Sequence, residues 1–448
     1  MNQRNDKDQW DIIIVGAGIC GLSLGALLVN DGYRVLILEK SKQIGGRARV
    51  MEKKGFTLDY GIHMVRFGKK SALAKTLKTI KVKNQKTIKF KEIGISYYYL
   101  ETEGDTHWEV LPLGLTGATK GDYFSISKLK NILFKLMMAK KKKNLAVSVE
   151  NWKKKKKIKE EGNLYLKLIT ASMQVCPFLE RASMGELRRN LAEVIKKRIS
   201  ATYPVGGWKL IFNRLVEKIE TNGKILTNYK VEDIITEKQL EAEKYRVIAV
   251  KSGEKIFNGK KIVLSPPVQE LFNFLNEELC EPDFVQLCKN LRPTGGLSLD
   301  IALEKKISDA TGLFYFENPL AFGIFTSNLD LGSAPEDKQL FTICSPCNVE
   351  DLENQEFRDD LLAKLRNKLF QAFPDMKNNV IFERPLFTIF DGVEVNIKQY
   401  QELRPYFKVP GIQNLYLVGD STAGKGAGGD IGHNSVWKTY DLIKEEKK

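Results

Sequence analysis

The sequence predicts an α/β fold in which a parallel sheet, fed by glycine-rich turns, is interrupted by an inserted α+β domain. Three observations carry this prediction. Ile12–Val15 is a β-branched run that leads into Gly16-Ala17-Gly18-Ile19-Cys20-Gly21 and then a nearly all-apolar helix, Leu22–Val29. Such a run suits a strand buried on both faces. A second strand, Tyr33–Leu38, ends on Glu39. Far along the chain, Asn414–Val418 reads as another buried strand, followed by Gly419-Asp420 and the glycine-rich stretch Gly424–Gly432.

Each glycine of the first turn has a physical task. Gly16 permits the tight strand-to-helix turn, Gly18 lets the backbone approach a pyrophosphate, and Gly21 lets helix and strand pack closely. Amides at the helix start, with the positive end of its dipole, hold the phosphates. Glu39 places a carboxylate where ribose hydroxyls can donate to it, and disfavours a 2′-phosphate. A strand–turn–helix–strand context with an acidic strand end makes the G-x-G-x-x-G match specific for a Rossmann-like dinucleotide site. A membrane-anchor reading of the uncharged run Ile12–Val29 is disfavoured. Gly16, Gly18, Gly21 and Gly25 thin its hydrophobicity, and Asp6, Asp8 and Asp11 mix the charge of the flank that carries Arg4 and Lys7.

Composition sets further bounds. With 43% hydrophobic and 28% charged residues over 448 positions, the chain reads as globular, with two interleaved domains. The net charge of +16 is concentrated in lysine runs at Lys140–Lys143 and Lys153–Lys157. No nucleic-acid module accompanies them, so nucleic acid is not the expected partner. Ser125–Ala139 places Ile126, Leu129, Leu133, Leu136 and Met137 on one helical stripe beside the first run. Two pairs of readings stay open there: core packing or an amphipathic membrane contact for the stripe, and an anionic membrane surface or a solvated face for the lysines. The expected location is cytoplasmic, with peripheral membrane contact as the form the second reading takes. Six scattered cysteines do not suggest a disulfide framework, and three histidines do not suggest a metal centre. Cys344-Ser-Pro-Cys347 is a lone C-x-x-C on a strand-like run, a redox pair or a coincidence. Oligomeric state leaves no sequence signal.

After Glu39 and Lys40 comes Gly45-Gly46-Arg47, a flexible anion-receiving backbone with an arginine able to reach a phosphate. Phe56–Asp59 then reads as a strand, with a turn at Gly61 before His63. Taken in order, the glycine fingerprint with its acidic residue, the G-G-R element and the Asp59/Gly61/His63 strand end resemble the FAD-binding opening of one flavoprotein superfamily. It includes phytoene desaturases, carotenoid isomerases, protoporphyrinogen oxidases and flavin amine oxidases. The resemblance implies a glutathione-reductase-type FAD domain, formed by residues 1–75, 200–268 and 385–448. A substrate domain would be formed by residues 76–199 and 269–384. It implies cofactor contacts at Gly16, Ala17, Gly18, Gly21, Glu39, Lys40, Gly46, Arg47, Gly61 and His63. It adds Val231 against the adenine, Gly419 and Asp420 at the flavin-side phosphate or ribityl chain, and Gly429 and Ile431 at the flavin.

The remaining elements follow in order. Ser71–Ile80 has helical character, residues 82–112 read as short strands containing Tyr97–Tyr99, and Ser183-Met-Gly-Glu186 has capping-box spacing for a helix to about Ile199. Tyr203-Pro-Val-Gly206-Gly207-Trp208 opens a helix to Ile219, stopped by Asn222-Gly223, with strands at Tyr229–Thr236, Tyr245–Lys251 and Lys261–Ser265. Gly296–Leu303, Leu313–Ser327 and Gln339–Ser345 are strand candidates, Glu356–Phe373 an amphipathic helix, and a last helix starts near Asn434.

Within the superfamily, G-D-S-T followed by a glycine loop looks most like the phytoene desaturase and carotenoid isomerase branch. That branch implies hydride transfer between FAD and a large apolar isoprenoid in a desaturation or isomerisation. A lipophilic small molecule would then be the partner. An amine or protoporphyrinogen oxidase is the alternative, although no aromatic follows Gly424–Gly432 until Trp437 to form an amine cage. A non-catalytic scaffold that keeps the FAD fold is the third reading. No catalytic residue is assigned.

Overall fold

The computed structural model describes residues 9–80, 82, 87–112, 126–138, 144–239 and 244–446. The Lys140–Lys143 run and the charges before Gln9 lie outside the described residues.

The first strand, Gln9–Val15, is central in an eight-stranded sheet. It pairs in parallel with Val35–Glu39 on one side, Ile12 opposite Val35 and Ile14 opposite Ile37, and with Lys255–Leu264 on the other. Gly223–Thr227 adds in parallel outside Val35–Glu39, and Leu415–Leu417 in parallel beside Ile262–Leu264. The ends of five strands therefore line up, and the turns after Val15, Glu39, Thr227, Leu264 and Leu417 gather on one edge. Open parallel sheets bind ligands at that edge.

The helix after the glycine turn runs from Ile19 to Asn30, starting three residues before the expected Leu22 because Gly18 itself is its N-cap. It packs on the sheet beneath two other helices, Gly207–Ile219 and Gly429–Glu445. Every residue from Gly21 to Val29 is buried, which accounts for the absence of charge. A Cβ at Gly25 would lie 2.8 Å from the Ile37 side chain, so the helix rides as low on the sheet as its glycines permit. No helix among the described residues is long and apolar enough to cross a membrane.

A second, seven-stranded sheet runs in the order Val380–Asp391, Thr294–Leu303, Gln339–Cys347, Leu320–Phe325, Phe314–Glu317, Ser96–Thr102, Asp105–Leu111. The helix Gln355–Ala372 covers one face with Leu361, Leu365 and Leu369. The helices Glu160–Gln174 and Met184–Lys197 lie toward the other. Tyr97–Tyr99 alternate as strand residues should: Tyr98 joins the core beside Tyr315, Tyr99 the core beside Phe316 and Trp108. Cys344 and Cys347 share the strand Gln339–Cys347, and both are free thiols. Three residues apart, they point to opposite faces of a strand, so the C-x-x-C spacing does not pair them.

Several boundaries differ from expectation. Gly223–Thr227 and Val380–Asp391 are strands the patterning does not predict. The second carries Pro385, which an edge strand tolerates because its missing amide faces no partner. The expected division at residue 384/385 cuts this strand, and that at 75/76 cuts the helix Ala72–Thr79. Tyr229–Glu232 is loop, and the strand begins at Asp233. Ser183 caps its helix by accepting from the Glu186 amide, but the Glu186 carboxylate turns to Arg189 and Gln401 instead of closing the box. The last helix begins at Gly429, five residues before Asn434. Of the stripe on Ile126–Met138, Leu129 and Leu136 are core, joined by Ile132.

A buried polar bridge ties the seven-stranded sheet to the strand Phe56–Asp59 of a small hairpin and to Tyr203 on the short strand Ala201–Pro204. Asp300 and Arg384 face each other on adjacent strands. Arg384 donates through Nε (2.9 Å) and Nη2 (2.6 Å) to Asp300, which also accepts from Thr342 Oγ1 at 2.7 Å. Arg384 also donates to the Asp59 carbonyl, and the Tyr203 hydroxyl donates to the Asp59 carboxylate. Removing one partner of such a buried pair strands the other charge. Arg384→Leu should therefore cost about 3–5 kcal/mol in urea unfolding, and Asp300→Leu/Arg384→Leu markedly less. Equal losses in the two variants would contradict the pairing.

Candidate active site

The gathered strand ends open on one large cavity of about 1060 Å³ that runs from the first sheet to the second. Leu38–Ser41 and Tyr229–Val231 line one end. Gly16, Gly18, Gly45–Arg47, Gly419 and Asp420 line the middle. Gly61–His63, Thr388–Asp391, Gly428–Asp430, Gly432 and His433 border the passage to an apolar pouch under the second sheet.

At the first end, Glu39 is buried and fixed. Its Oε2 accepts from the Ala17 amide at 2.8 Å and its Oε1 from the Ser41 amide at 2.9 Å. Each oxygen retains a lone pair for a hydroxyl in the cavity. Gly16 adopts φ +97°, a conformation that favours glycine. A Cβ at Gly18 would meet no protein atom within 4 Å, so that backbone faces open space. A Cβ at Gly21 would run into the Gly16 carbonyl, which makes this glycine a packing requirement. The Gly45 amide donates to the Ala17 carbonyl at 2.8 Å and binds the G-G-R turn to the glycine turn. A cradle open at Gly18, a fixed carboxylate at Glu39 and a helix start between them fit the ribose–pyrophosphate part of a dinucleotide.

The middle is closed by an ion pair. Arg47 donates to Asp420 Oδ1 at 2.7 Å and to the Phe390 carbonyl at 3.2 Å, while Asp420 Oδ2 accepts from the Gly392 amide at 2.9 Å. Two residues assigned separately to a ligand thus meet each other first. Burial works to raise the Asp420 pKa, but Arg47 beside it holds it below the usual carboxylate range. Asp391, the residue before Gly392 at the end of the strand Val380–Asp391, makes no ion pair among the described residues, and the lowering pull of Arg47 does not offset what raises it. Burial, with the Asp420 charge adding to it, pushes it up to about 7.

The histidines behave differently. His63 Nε2 lies 3.0 Å from both the Arg47 and Tyr60 carbonyls, and its own carbonyl accepts from Trp208 Nε1 at 2.7 Å. Burial lowers its pKa to about 4, so it is a neutral brace between loops. Cys20, whose thiol burial pushes up to about 12, is an inert wall residue.

Of the predicted site residues, Gly16, Gly18, Glu39, Lys40, Gly46, Arg47, Gly61, His63, Val231, Gly419, Asp420 and Gly429 all line the cavity. Ala17, Gly21 and Ile431 do not. Ala17 contributes its amide to Glu39, Gly21 packs, and the Ile431 side chain is wholly buried under the first sheet. Sequence reasoning missed Thr388–Asp391, which lies on the unpredicted edge strand. It left His433 unassigned. Among the described residues no cluster of metal-ligand type occurs.

Comparison with known proteins agrees with this geometry. Residues 19–432 match the family described as flavin containing amine oxidoreductase. The chain is 43% identical over 58 residues to an inactive all-trans-retinol 13,14-reductase of Danio rerio, covering 13% of this chain and 10% of that protein. It is 48% identical over 50 residues to a 4,4'-diapophytoene desaturase of Staphylococcus haemolyticus, covering 11% and 10%. These curated relatives are thus matched over only about a tenth of their length. An oxidoreductase from Methanosarcina mazei superposes with a TM-score of 0.77 at 19% identity, over 96% of this chain and 99% of that one, and so shares the fold.

The raised Asp391 carboxyl has a consequence for stability. The folded chain holds a proton that the unfolded chain releases above its ordinary pKa near 3.9. Its contribution is therefore complete below about pH 4 and is lost as the pH rises through about 7. Asp391→Asn, which has no proton to lose, should gain on the wild type in urea midpoint as pH goes from 4 to 7. A difference independent of pH would contradict the assignment.

Proposed function

The chain belongs to the flavin-containing amine oxidoreductase family, and its cofactor is FAD; from that premise we propose an FAD-dependent oxidoreductase that moves hydride between the flavin and a large apolar isoprenoid. In this reading Glu39 holds the adenosine ribose, with Val231 at the adenine and Lys40 at the rim. Gly18, Gly46 and Gly419, with the Arg47–Asp420 pair, hold the pyrophosphate and ribityl chain. Gly61, His63 and Gly429 border the ring. The first sheet serves the cofactor and the second the substrate. The bound flavin supplies hydride acceptance and donation, and the chain supplies orientation and exclusion of water.

The pouch carries the substrate assignment. Its walls are Ile169, Met173, Leu191, Leu313, Tyr315 and Phe322, with Ile93 and Val175 beside them. Its tyrosine hydroxyls are already committed: Tyr315 donates to Ser172 Oγ at 3.0 Å and Tyr165 to the Pro112 carbonyl at 3.1 Å. Burial raises both phenols, so they stay neutral. A cationic amine would find neither a counter-charge among these walls nor an aromatic on the terminal helix beside the ring. Gly429 stands first on that helix, and Trp437 Nε1 instead donates to the Ala72 carbonyl at 3.2 Å. A hydrocarbon loses nothing there and gains about 25 cal/mol for each Å² buried.

The test is anaerobic mixing of the FAD-loaded protein, oxidised and reduced in turn, with isoprenoid polyenes, amines and a porphyrinogen while flavin absorbance is followed. Exchange of electrons with a polyene alone supports the proposal. Bleaching by an amine or the porphyrinogen alone assigns the protein to the other branches, and response to none favours a non-catalytic scaffold.

Peripheral contact with an anionic membrane belongs to the same proposal. Phe134 and Met138 are 66% and 67% exposed on the helix Ile126–Met138, which packs over the two helices that line the pouch. Two lysine runs, Lys140–Lys143 and Lys153–Lys157, follow it in the sequence. An exposed apolar pair on a helix followed in sequence by lysine runs suits acidic headgroups over a lipid-dissolved substrate. The protein should sediment with phosphatidylserine vesicles at low salt and be released at high salt, and Phe134→Ser/Met138→Ser should weaken this. Failure to bind at low salt would contradict it.

A further inference from the structure

His433 is the fifth residue of the terminal helix, lines the cavity and is 7% exposed. Unlike His63, it has no hydrogen-bond partner among the described residues. Its Nδ1 is sealed from solvent without a hydrogen bond, and its Nε2 lies 3.9 Å from the Cβ position of Gly429, where no side chain stands. A buried imidazole with neither nitrogen engaged is costly unless a ligand completes it. The charged groups around it are Asp420 with its partner Arg47, Asp391 across Gly428, and Asp430 on its own helix. Burial lowers the imidazole pKa to about 4, and Asp420 pulling the other way does not restore it.

A neutral imidazole carries one proton. Placing it on Nδ1 would bury an unsatisfied N–H, whereas placing it on Nε2 leaves only a bare lone pair inside and turns the donor toward the cavity. The order of the anchors points the same way. Glu39 stands at one end, Gly18 and Gly46 follow, then Gly419, so the ring end of a bound dinucleotide reaches the first turn of the terminal helix. The positive end of that helix and the Nε2–H would then converge on one acceptor.

We propose that His433 donates a hydrogen bond from Nε2 to the ring of bound FAD and stabilises the negative charge that the ring acquires on reduction. This rests on the FAD reading above. As a neutral donor, His433 favours the anionic reduced form without attracting an anion to the cavity beforehand, which suits an uncharged substrate.

The test follows the ionisation of reduced FAD in the loaded protein by its absorbance against pH. His433→Leu should bind FAD but shift that ionisation upward by about one to two pH units, a ten- to hundredfold loss of stabilisation. His433→Gln, which retains an N–H, should fall between the leucine variant and the wild type. Should the leucine chain not fold, His433→Met carries the same comparison. Loaded variants that titrate with the wild type overturn the inference. A wild-type chain that takes up no FAD is a separate result, and it overturns the reading on which the inference stands.

Discussion

The pairing of Arg47 with Asp420 joins positions 373 residues apart in the chain, and the geometry of the site depends on it. Arg47 ends the G-G-R turn, which is bound to the glycine turn through Gly45. Asp420 follows the last strand and holds the amide of Gly392, at the end of the edge strand of the second sheet. One ion pair therefore locks together the opening βαβ unit, the terminal strand and the second sheet. With Asp420 buried and Arg47 partly exposed to the cavity, the pair gains from its geometry and from the backbone groups that satisfy its remaining valences. It also sets the charge of the middle of the cavity, because Arg47 keeps Asp420 ionised while Asp391 nearby keeps its proton.

Around that lock the cavity changes character along its length. Backbone amides, glycines and a fixed carboxylate line the part suited to a dinucleotide, and the part under the second sheet is hydrocarbon with its hydroxyls already spent. Between them stand an acid that holds a proton near neutrality and an imidazole without a partner. Few ionisable groups are needed where the cofactor carries the hydride chemistry. Such a division fits a protein whose own contribution is orientation and dryness.

Much of this was legible in the sequence where local chemistry and tertiary role coincide. Gly16, Gly18 and Glu39 are readable because a tight turn, a close approach and a ribose acceptor each demand one residue type at a set spacing. Other features depend on distant partners and leave no local trace. Val380–Asp391 reads poorly as a strand because of Pro385, yet its edge position removes the penalty. Gly223–Thr227 is recognisable as a fifth parallel strand only once Val35–Glu39 stands beside it. The terminal helix starts earlier than expected because the positive-φ turns at Gly426 and Gly428 end just before Gly429. Ile431 shows the opposite limit: a motif position that matches a cofactor contact while its side chain belongs to the core.

The central claim is that both ends of the chain close one FAD site, with Gly18 left bare for the cofactor and not for packing. The direct measurement is FAD titration of the purified wild type and of Gly18→Val, with thermal unfolding of the cofactor-free chains alongside. One FAD per wild-type chain, with binding lost in the variant and unfolding unchanged, is the result predicted. Absence of FAD uptake by the wild type, or undiminished uptake by the variant, would contradict it.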